Sequence, residues 1–119
     1  MSNWVKNKFK HLSRWREYAE IILRSAKEFN NHVKVYVFGG VAEDRITVLS
    51  DIDILILFPG KLTDKEIIEL RRKIFLNAVD KYGLPFDAPV ELHVVDDERA
   101  KEYFRIAKKM ILIANNLDL

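Results

Sequence analysis

The residues best placed to do chemistry lie between positions 39 and 53. Gly39-Gly40 is followed, after a spacer, by Ser50-Asp51-Ile52-Asp53 and the apolar run Ile54-Leu55-Ile56-Leu57-Phe58. The glycine pair itself follows a β-type run, Val33-Lys34-Val35-Tyr36-Val37-Phe38. Alternate residues of a strand share a face, so Asp51 and Asp53 are expected to point the same way. Two carboxylates that close repel each other and favour a cation between them. Oxygen ligands suit Mg²⁺, a hard ion, with Mn²⁺ as a substitute. The glycines let backbone approach a phosphate closely and offer N–H groups as donors. Together these parts suit a metal-dependent enzyme acting on a nucleoside triphosphate.

A third acid, Glu91, sits inside the apolar run Pro89-Val90-Glu91-Leu92-His93-Val94-Val95. An ionised group there is costly unless it is paired or ligates a metal. If this strand lies beside the strand of residues 52–58, Glu91 completes a three-carboxylate cluster with Asp51 and Asp53. Such a cluster can hold two Mg²⁺ ions roughly 3.5–4 Å apart for in-line phosphoryl transfer. Ser50 has two readings, a hydroxyl that shapes the turn before the strand or one that contacts a phosphate or ribose. His93 shares a strand face with Glu91 and reads as a half-buried packing residue.

The elements that must position these residues are legible in outline. Residues 12–30 predict a helix, with Leu12, Trp15, Ala19, Ile22, Ala26 and Phe29 on one stripe. Residues 33–38 predict a strand, and 41–45 a short helical turn. Residues 52–58 predict a strand buried on both faces, ended by Pro59-Gly60. Thr63-Asp64-Lys65-Glu66 is a capping box opening a helix to about residue 81, with Gly83 at its stop. Ile67, Leu70, Ile74, Phe75 and Ala78 form its buried face. Residues 89–95 are the third strand. Asp96-Asp97 caps a last helix to about residue 114, with Ala100, Tyr103, Phe104, Ala107 and Ile111 inward. The order α-β-(α)-β-α-β-α predicts an α/β fold, a sheet of about three strands with helices packed on it.

Composition narrows the class. At 119 residues the chain is expected to form a single domain, residues 1–119, with one core. It is 49% hydrophobic and 32% charged, and its net charge of +2 gives no bulk signal for nucleic acid. With no cysteine, disulfides, thiolate zinc sites and cysteine nucleophiles are excluded. That absence fits a reducing compartment, and a cytoplasmic location is expected. No apolar run reads as a signal peptide or approaches membrane-spanning length. Gln is absent while Lys, Glu, Arg and Ile are plentiful, which is the hyperthermophile bias. Lys6, Lys8, Lys10, Arg14 and Arg16 alternate with Trp4, Phe9 and Trp15, read as a solvated basic face around a packed Trp rather than an RNA-touching arm. Lys108-Lys109 is read as complementing the last helix's C-terminus or facing solvent.

Glycine turn, spacer, Ser-Asp-x-Asp on a strand and a later strand acid resemble the DNA polymerase β-type nucleotidyltransferase superfamily. The minimal nucleotidyltransferases, its smallest branch, are similar in length and element order, so the resemblance covers nearly the whole chain. The family motif is Gly-Ser, a spacer of about ten residues, then Asp-x-Asp. Gly39 and Gly40 occupy the Gly-Ser positions, Asp51 and Asp53 match the metal acids, and Glu91 matches the third, less fixed acid. The resemblance implies the family fold and transfer of a nucleoside monophosphate with two Mg²⁺ ions. It implies Asp51 and Asp53 on both metals, and Glu91 with Asp53 on the metal that activates the acceptor hydroxyl. Gly39 and Gly40 then cradle the triphosphate. The chain departs from the pattern at Gly40, which replaces the serine, and at Glu43 and Asp44, where the family often reads Arg-Gly; Arg45 comes one step late.

Two functions follow. The first is an enzyme that moves AMP from ATP to a hydroxyl. In the minimal branch the usual partner is a helical HEPN protein, often an RNase toxin, so the resemblance implies an antitoxin that adenylylates a toxin tyrosine. The second is a catalytically weak or inactive module that neutralises its partner by contact, to which the departures at Gly40, Glu43 and Asp44 point. A free-standing transferase acting on a small molecule or RNA is the remaining alternative. Trp4, Phe9 and Tyr103 hint at a protein interface, with a partner or a second copy.

Overall fold

The computed structural model describes residues 2–114. Along the chain run α1 (Asn3–Ser13), α2 (Trp15–Lys27), β1 (Lys34–Phe38), α3 (Gly39–Ala42), β2 (Ile52–Leu57), α4 (Asp64–Tyr82), β3 (Val90–Val95), α5 (Asp97–Ile106) and β4 (Ile111–Ile113). The strands form one mixed sheet in the order β3-β2-β1-β4. β1 runs antiparallel to both β2 and β4, whereas β2 and β3 are parallel. Parallel neighbours need a crossover, and α4 provides it. The α/β class expected from the sequence is thus the fold observed, with a fourth strand added.

Period-2 alternation divides the sheet into two unlike faces. Val35, Val37, Ile52, Ile54, Ile56, Leu92 and Val94 pack with α2 and α4 into the larger core. Leu55 and Val95, with Tyr36, Phe38 and Leu57, turn the other way and meet Ala100 and Tyr103 of α5. β2 is central and reads as a near-continuous apolar run because both of its faces are covered. α4 opens on the expected capping box, with Thr63 and Glu66 satisfying each other's backbone N–H groups, and closes on Gly83 at φ 73°. Its expected inner face holds, with Ile74 and Ala78 buried and Ile67, Leu70 and Phe75 packed against the core.

Three expectations are corrected. The single helix over 12–30 is two, α1 and α2, and starts near the N-terminus. The Ser13 hydroxyl donates back to the Lys10 carbonyl at 2.7 Å, and Arg14 leaves helical geometry at φ −97°, ψ 19°. Phe29 falls beyond the end of α2 and is 40% exposed. The short helical turn begins at Gly39 rather than residue 41. The last helix stops at Ile106, and residues 111–113 form β4 instead of its final turn. Ile111-Leu112-Ile113 is an apolar run that pairs with Val35–Val37, where the sheet would otherwise end in an open edge. That pairing outweighs the helical spacing. Phe104, expected inward, is 42% exposed, and Lys108-Lys109 lies past the helix rather than on it. Among the described residues no helix is long and apolar enough to cross a membrane.

Candidate active site

The site lies where β1 gives way to α3. β1 ends at Phe38, the chain turns through Gly39, and β2 returns with Asp53 directly opposite Phe38. Gly39 has φ 75°, a left-handed conformation that glycine adopts without strain. A Cβ at this position would overlap the Asp53 Oδ2 atom, so a side chain here would both strain the turn and displace that carboxylate. Gly40 has no such constraint; a Cβ there would meet the Arg45 carbonyl at 3.1 Å and Ser50 Oγ at 3.8 Å. The first N–H groups of α3 have no intrahelical acceptor, as in any helix.

On the other side of β2, Asp53 stands in register with Glu91 of β3. Their side chains share the face that α5 only partly covers. His93, two residues along β3, lies between them, with Nε2 at 3.4 Å from Asp53 Oδ1 and 3.7 Å from Glu91 Oε1. One ligand atom from each of Asp53, Glu91 and His93 lies within 4.8 Å of the others. The His93 ring is held edge-on to Phe38 and Tyr103, and its Nδ1 is 3.2 Å from the Tyr103 hydroxyl. Asp53 and His93 are half-buried, whereas the Glu91 side chain is 57% exposed. Its charge therefore carries little of the desolvation cost that an apolar strand suggested, because β3 is the sheet's outer strand.

Asp51 stands outside this group. It precedes β2 by one residue, and its carboxylate lies 3.6 Å from Lys8 Nζ on α1. Ser50 Oγ accepts from the Thr47 N–H at 2.8 Å, and the Ser50 N–H donates to the Thr47 carbonyl, so the hydroxyl shapes the turn ahead of the strand. Glu43 and Arg45 pair with each other at 3.0 Å, and Asp44 takes the left-handed turn at φ 58°. The acid at 43 is thus engaged locally in an ion pair.

Two hollows flank the carboxylates. A cleft of about 520 Å³ opens beside Gly39, with Phe38, Tyr103 and Ile106 as apolar wall, Arg45 and Lys108 as cations and Glu43 and Glu102 as acids. A second hollow, about 480 Å³, runs along the sheet edge past Glu91 to Arg71 and Arg72 of α4. His93, Lys108 and the arginine pair are the residues that sequence reading did not place at the site. Only His93 left a signal there, its shared strand face with Glu91. The carboxylate pair and the imidazole are a donor set that fits a divalent cation.

Comparison with known proteins agrees with this fold. A crystal structure from Sulfolobus solfataricus, assigned as a nucleotidyltransferase, superposes with a TM-score of 0.64 at 18% identity. The match covers 98% of this chain and 91% of that one, and at that identity it speaks for the fold. No curated protein sequence matches significantly. The family model for the nucleotidyltransferase domain matches residues 19–113. That match runs from within α2 to the end of β4, and the chain accordingly belongs to the nucleotidyltransferase domain family.

Proposed function

We propose that this protein transfers AMP from ATP to a hydroxyl on a partner protein, with Asp53 and Glu91 at the reacting centre. The observation that carries this reading is the in-register Asp53–Glu91 pair facing the Gly39 turn. The cleft beside Gly39 suits the nucleotide. Lys108 would meet phosphate charge, with Arg45 joining once released from Glu43, and Phe38, Tyr103 and Ile106 would take the base. The acceptor would approach from the Glu91 side. Its oxygen would form the new bond to the α-phosphorus, the bond from that phosphorus to the bridging oxygen would break, and pyrophosphate would leave with the electron pair. Glu91, exposed and beside Asp53, would take the hydroxyl proton. Asp53 and Glu91 would hold Mg²⁺, with Asp51 joining once released from Lys8; bound there, Mg²⁺ neutralises phosphate charge and lowers the pKa of the acceptor hydroxyl. Two ions are proposed on the family pattern.

A protein acceptor is favoured by α1. Trp4 is 62% exposed and Phe9 is 36% exposed on this helix, and the Lys8–Asp51 contact ties it to the edge of the site. A partner seated on those aromatics would place its own side chains near the carboxylates. A helical HEPN toxin with a tyrosine acceptor is the partner class the resemblance suggests, and a cytoplasmic setting goes with it. A contact-only antitoxin is the second reading. It is favoured by the Arg45–Glu43 and Lys8–Asp51 pairs, which occupy a cation and an acid that catalysis would use.

Intact mass of the partner after incubation with ATP and Mg²⁺ tests both. A gain of one or more AMP units, lost with Asp53→Asn, supports transfer. No gain, with toxin activity still suppressed by the Asp53→Asn protein, establishes the contact-only module. No binding to a helical partner, with AMP transferred to a small molecule or RNA, returns the free-standing transferase.

A further inference from the structure

We infer that His93 is itself a metal ligand, making the centre a mixed imidazole–dicarboxylate site that prefers a first-row transition cation such as Mn²⁺ to Mg²⁺. The inference rests on the metal-dependent reading above. It adds a nitrogen donor to a centre for which the sequence suggested oxygen alone.

The first support is spacing. Donors bound at about 2.1 Å lie about 3.0 Å apart when adjacent in an octahedron and about 4.2 Å apart when opposite. The contacts from His93 Nε2 to Asp53 Oδ1 and Glu91 Oε1, 3.4 and 3.7 Å, lie between those values. One point between the three residues can therefore be reached by all of them with small movements.

The second support is that the imidazole is aimed. Phe38 and Tyr103 fix the ring plane with centroid distances of 5.1 and 5.5 Å. Tyr103 Oη stands 3.2 Å from Nδ1. With Nδ1–H donating to that oxygen, the Nε2 lone pair is turned toward the carboxylates. A metal-bound histidine ordinarily has its other ring nitrogen held in this way. Tyr103 is thus a positioning residue.

The chemical consequence is selectivity. Mg²⁺ is hard, bound through oxygen and reluctant to shed water, whereas imidazole favours first-row transition ions. An alternative needs no metal: the His93 ring simply contacts the two acids. The two differ in whether nitrogen bonds the metal.

Electron spin-echo spectroscopy of the Mn²⁺-loaded protein decides between them, alongside calorimetric titrations of Mn²⁺ and Mg²⁺. The wild type should show ¹⁴N coupling from directly bound imidazole and bind Mn²⁺ about 10–100-fold more tightly than Mg²⁺. His93→Asn should lose the coupling and about tenfold or more in Mn²⁺ affinity, with Mg²⁺ affinity within about twofold. His93→Gln, with its melting curve recorded, guards against a folding defect in the first variant. Tyr103→Phe should keep the coupling while weakening Mn²⁺ about tenfold. Mn²⁺ bound without nitrogen coupling overturns the inference, and so does equal Mn²⁺ affinity in His93→Asn. AMP transfer with no nitrogen signal would leave the proposed function standing without His93 ligation. Nitrogen coupling without transfer would do the reverse, and no Mn²⁺ binding at all would overturn the inference, leaving AMP transfer with Mg²⁺ to decide the proposed function.

Discussion

At Asp53 three elements meet. Gly39 of α3 packs on one carboxylate oxygen, while Glu91 and His93 of β3 approach from the other side. Neutralising this residue relieves repulsion with Glu91 and removes a cation ligand. Asp53→Asn should therefore weaken Mg²⁺ or Mn²⁺ binding about tenfold or more while leaving the apo melting temperature unchanged or raised. Calorimetry showing wild-type metal affinity in the variant would end the role given to Asp53. The glycines separate in the same neighbourhood. Gly39→Ala forces a side chain into a left-handed turn and against Asp53, and should cost more than about 2 kcal/mol. Gly40→Ser should cost less than about 1 kcal/mol, since only the Arg45 carbonyl must give slightly. Urea denaturation of the two variants makes the comparison, and equal losses would mean that the turn is built differently. Sequence alone could not rank these glycines, because φ and the approach to Asp53 are properties of the folded turn.

Among the elements, α5 is the one whose placement completes the site, since it delivers Tyr103 and the far wall of the cleft. Its N-terminus is fastened by Asp96, which is almost fully buried. The Asp96 carboxylate accepts from the Leu62 N–H at 2.9 Å, from the Arg99 N–H at 3.0 Å and from the Arg99 guanidinium at 2.8 Å. The Gly60 N–H donates to Asp97, tying the same loop to the same helix. The Leu62 N–H, then the Arg99 N–H, hold the Asp96 carboxyl below its ordinary range, against the opposing effect of burial. A depressed carboxylate stabilises the fold above its unfolded pKa and loses that contribution as the pH falls through the folded value. The Asp96 contribution to stability should thus be constant above about pH 5 and decline in acid, giving a shallower acid decline in Asp96→Asn. Asp96→Ala should cost about 1–3 kcal/mol at neutral pH. Thermal melts across pH check both; an unchanged acid slope in Asp96→Asn would remove this residue from the account. That Asp96-Asp97 caps a helix was readable from sequence, but its grip on the loop at Gly60–Leu62 was not.

For the whole molecule, the division of labour between the two sheet faces decides where chemistry can occur. The face under α2 and α4 is filled with aliphatic side chains and excludes charge. The face under α5 is covered only in part, and there Asp53, Glu91 and His93 can reach a ligand. β4 helps hold this frame by covering the free edge of β1, and Ile113 is buried in the larger core. Ile113→Ala should destabilise by about 2–4 kcal/mol, as for a buried core truncation. Leu112→Ala, on the same strand but 56% exposed, should fall within about 1 kcal/mol of wild type. Equal effects in denaturant titrations would contradict the strand's alternation of buried and exposed side chains.

The sequence by itself determined the elements whose signals are local. The capping box at Thr63, the helix stop at Gly83, the apolar run of β2 and the alternation that puts Glu91 and His93 on one face need only neighbouring residues to be read. The glycine turn and the Asp-x-Asp strand were legible for the same reason, and with them the family. Tertiary structure alone decided what depends on partners distant in sequence. Residues 111–113 are a strand because β1 offers an open edge, although their spacing continues a helix. Asp51 faces Lys8 because α1 folds back beside the turn. His93 joins the acids because β3 lies parallel to β2 in a register that sets Glu91 against Asp53. A side chain's face can be counted along the chain, but which side chains from another strand share it is fixed only when the strands pair.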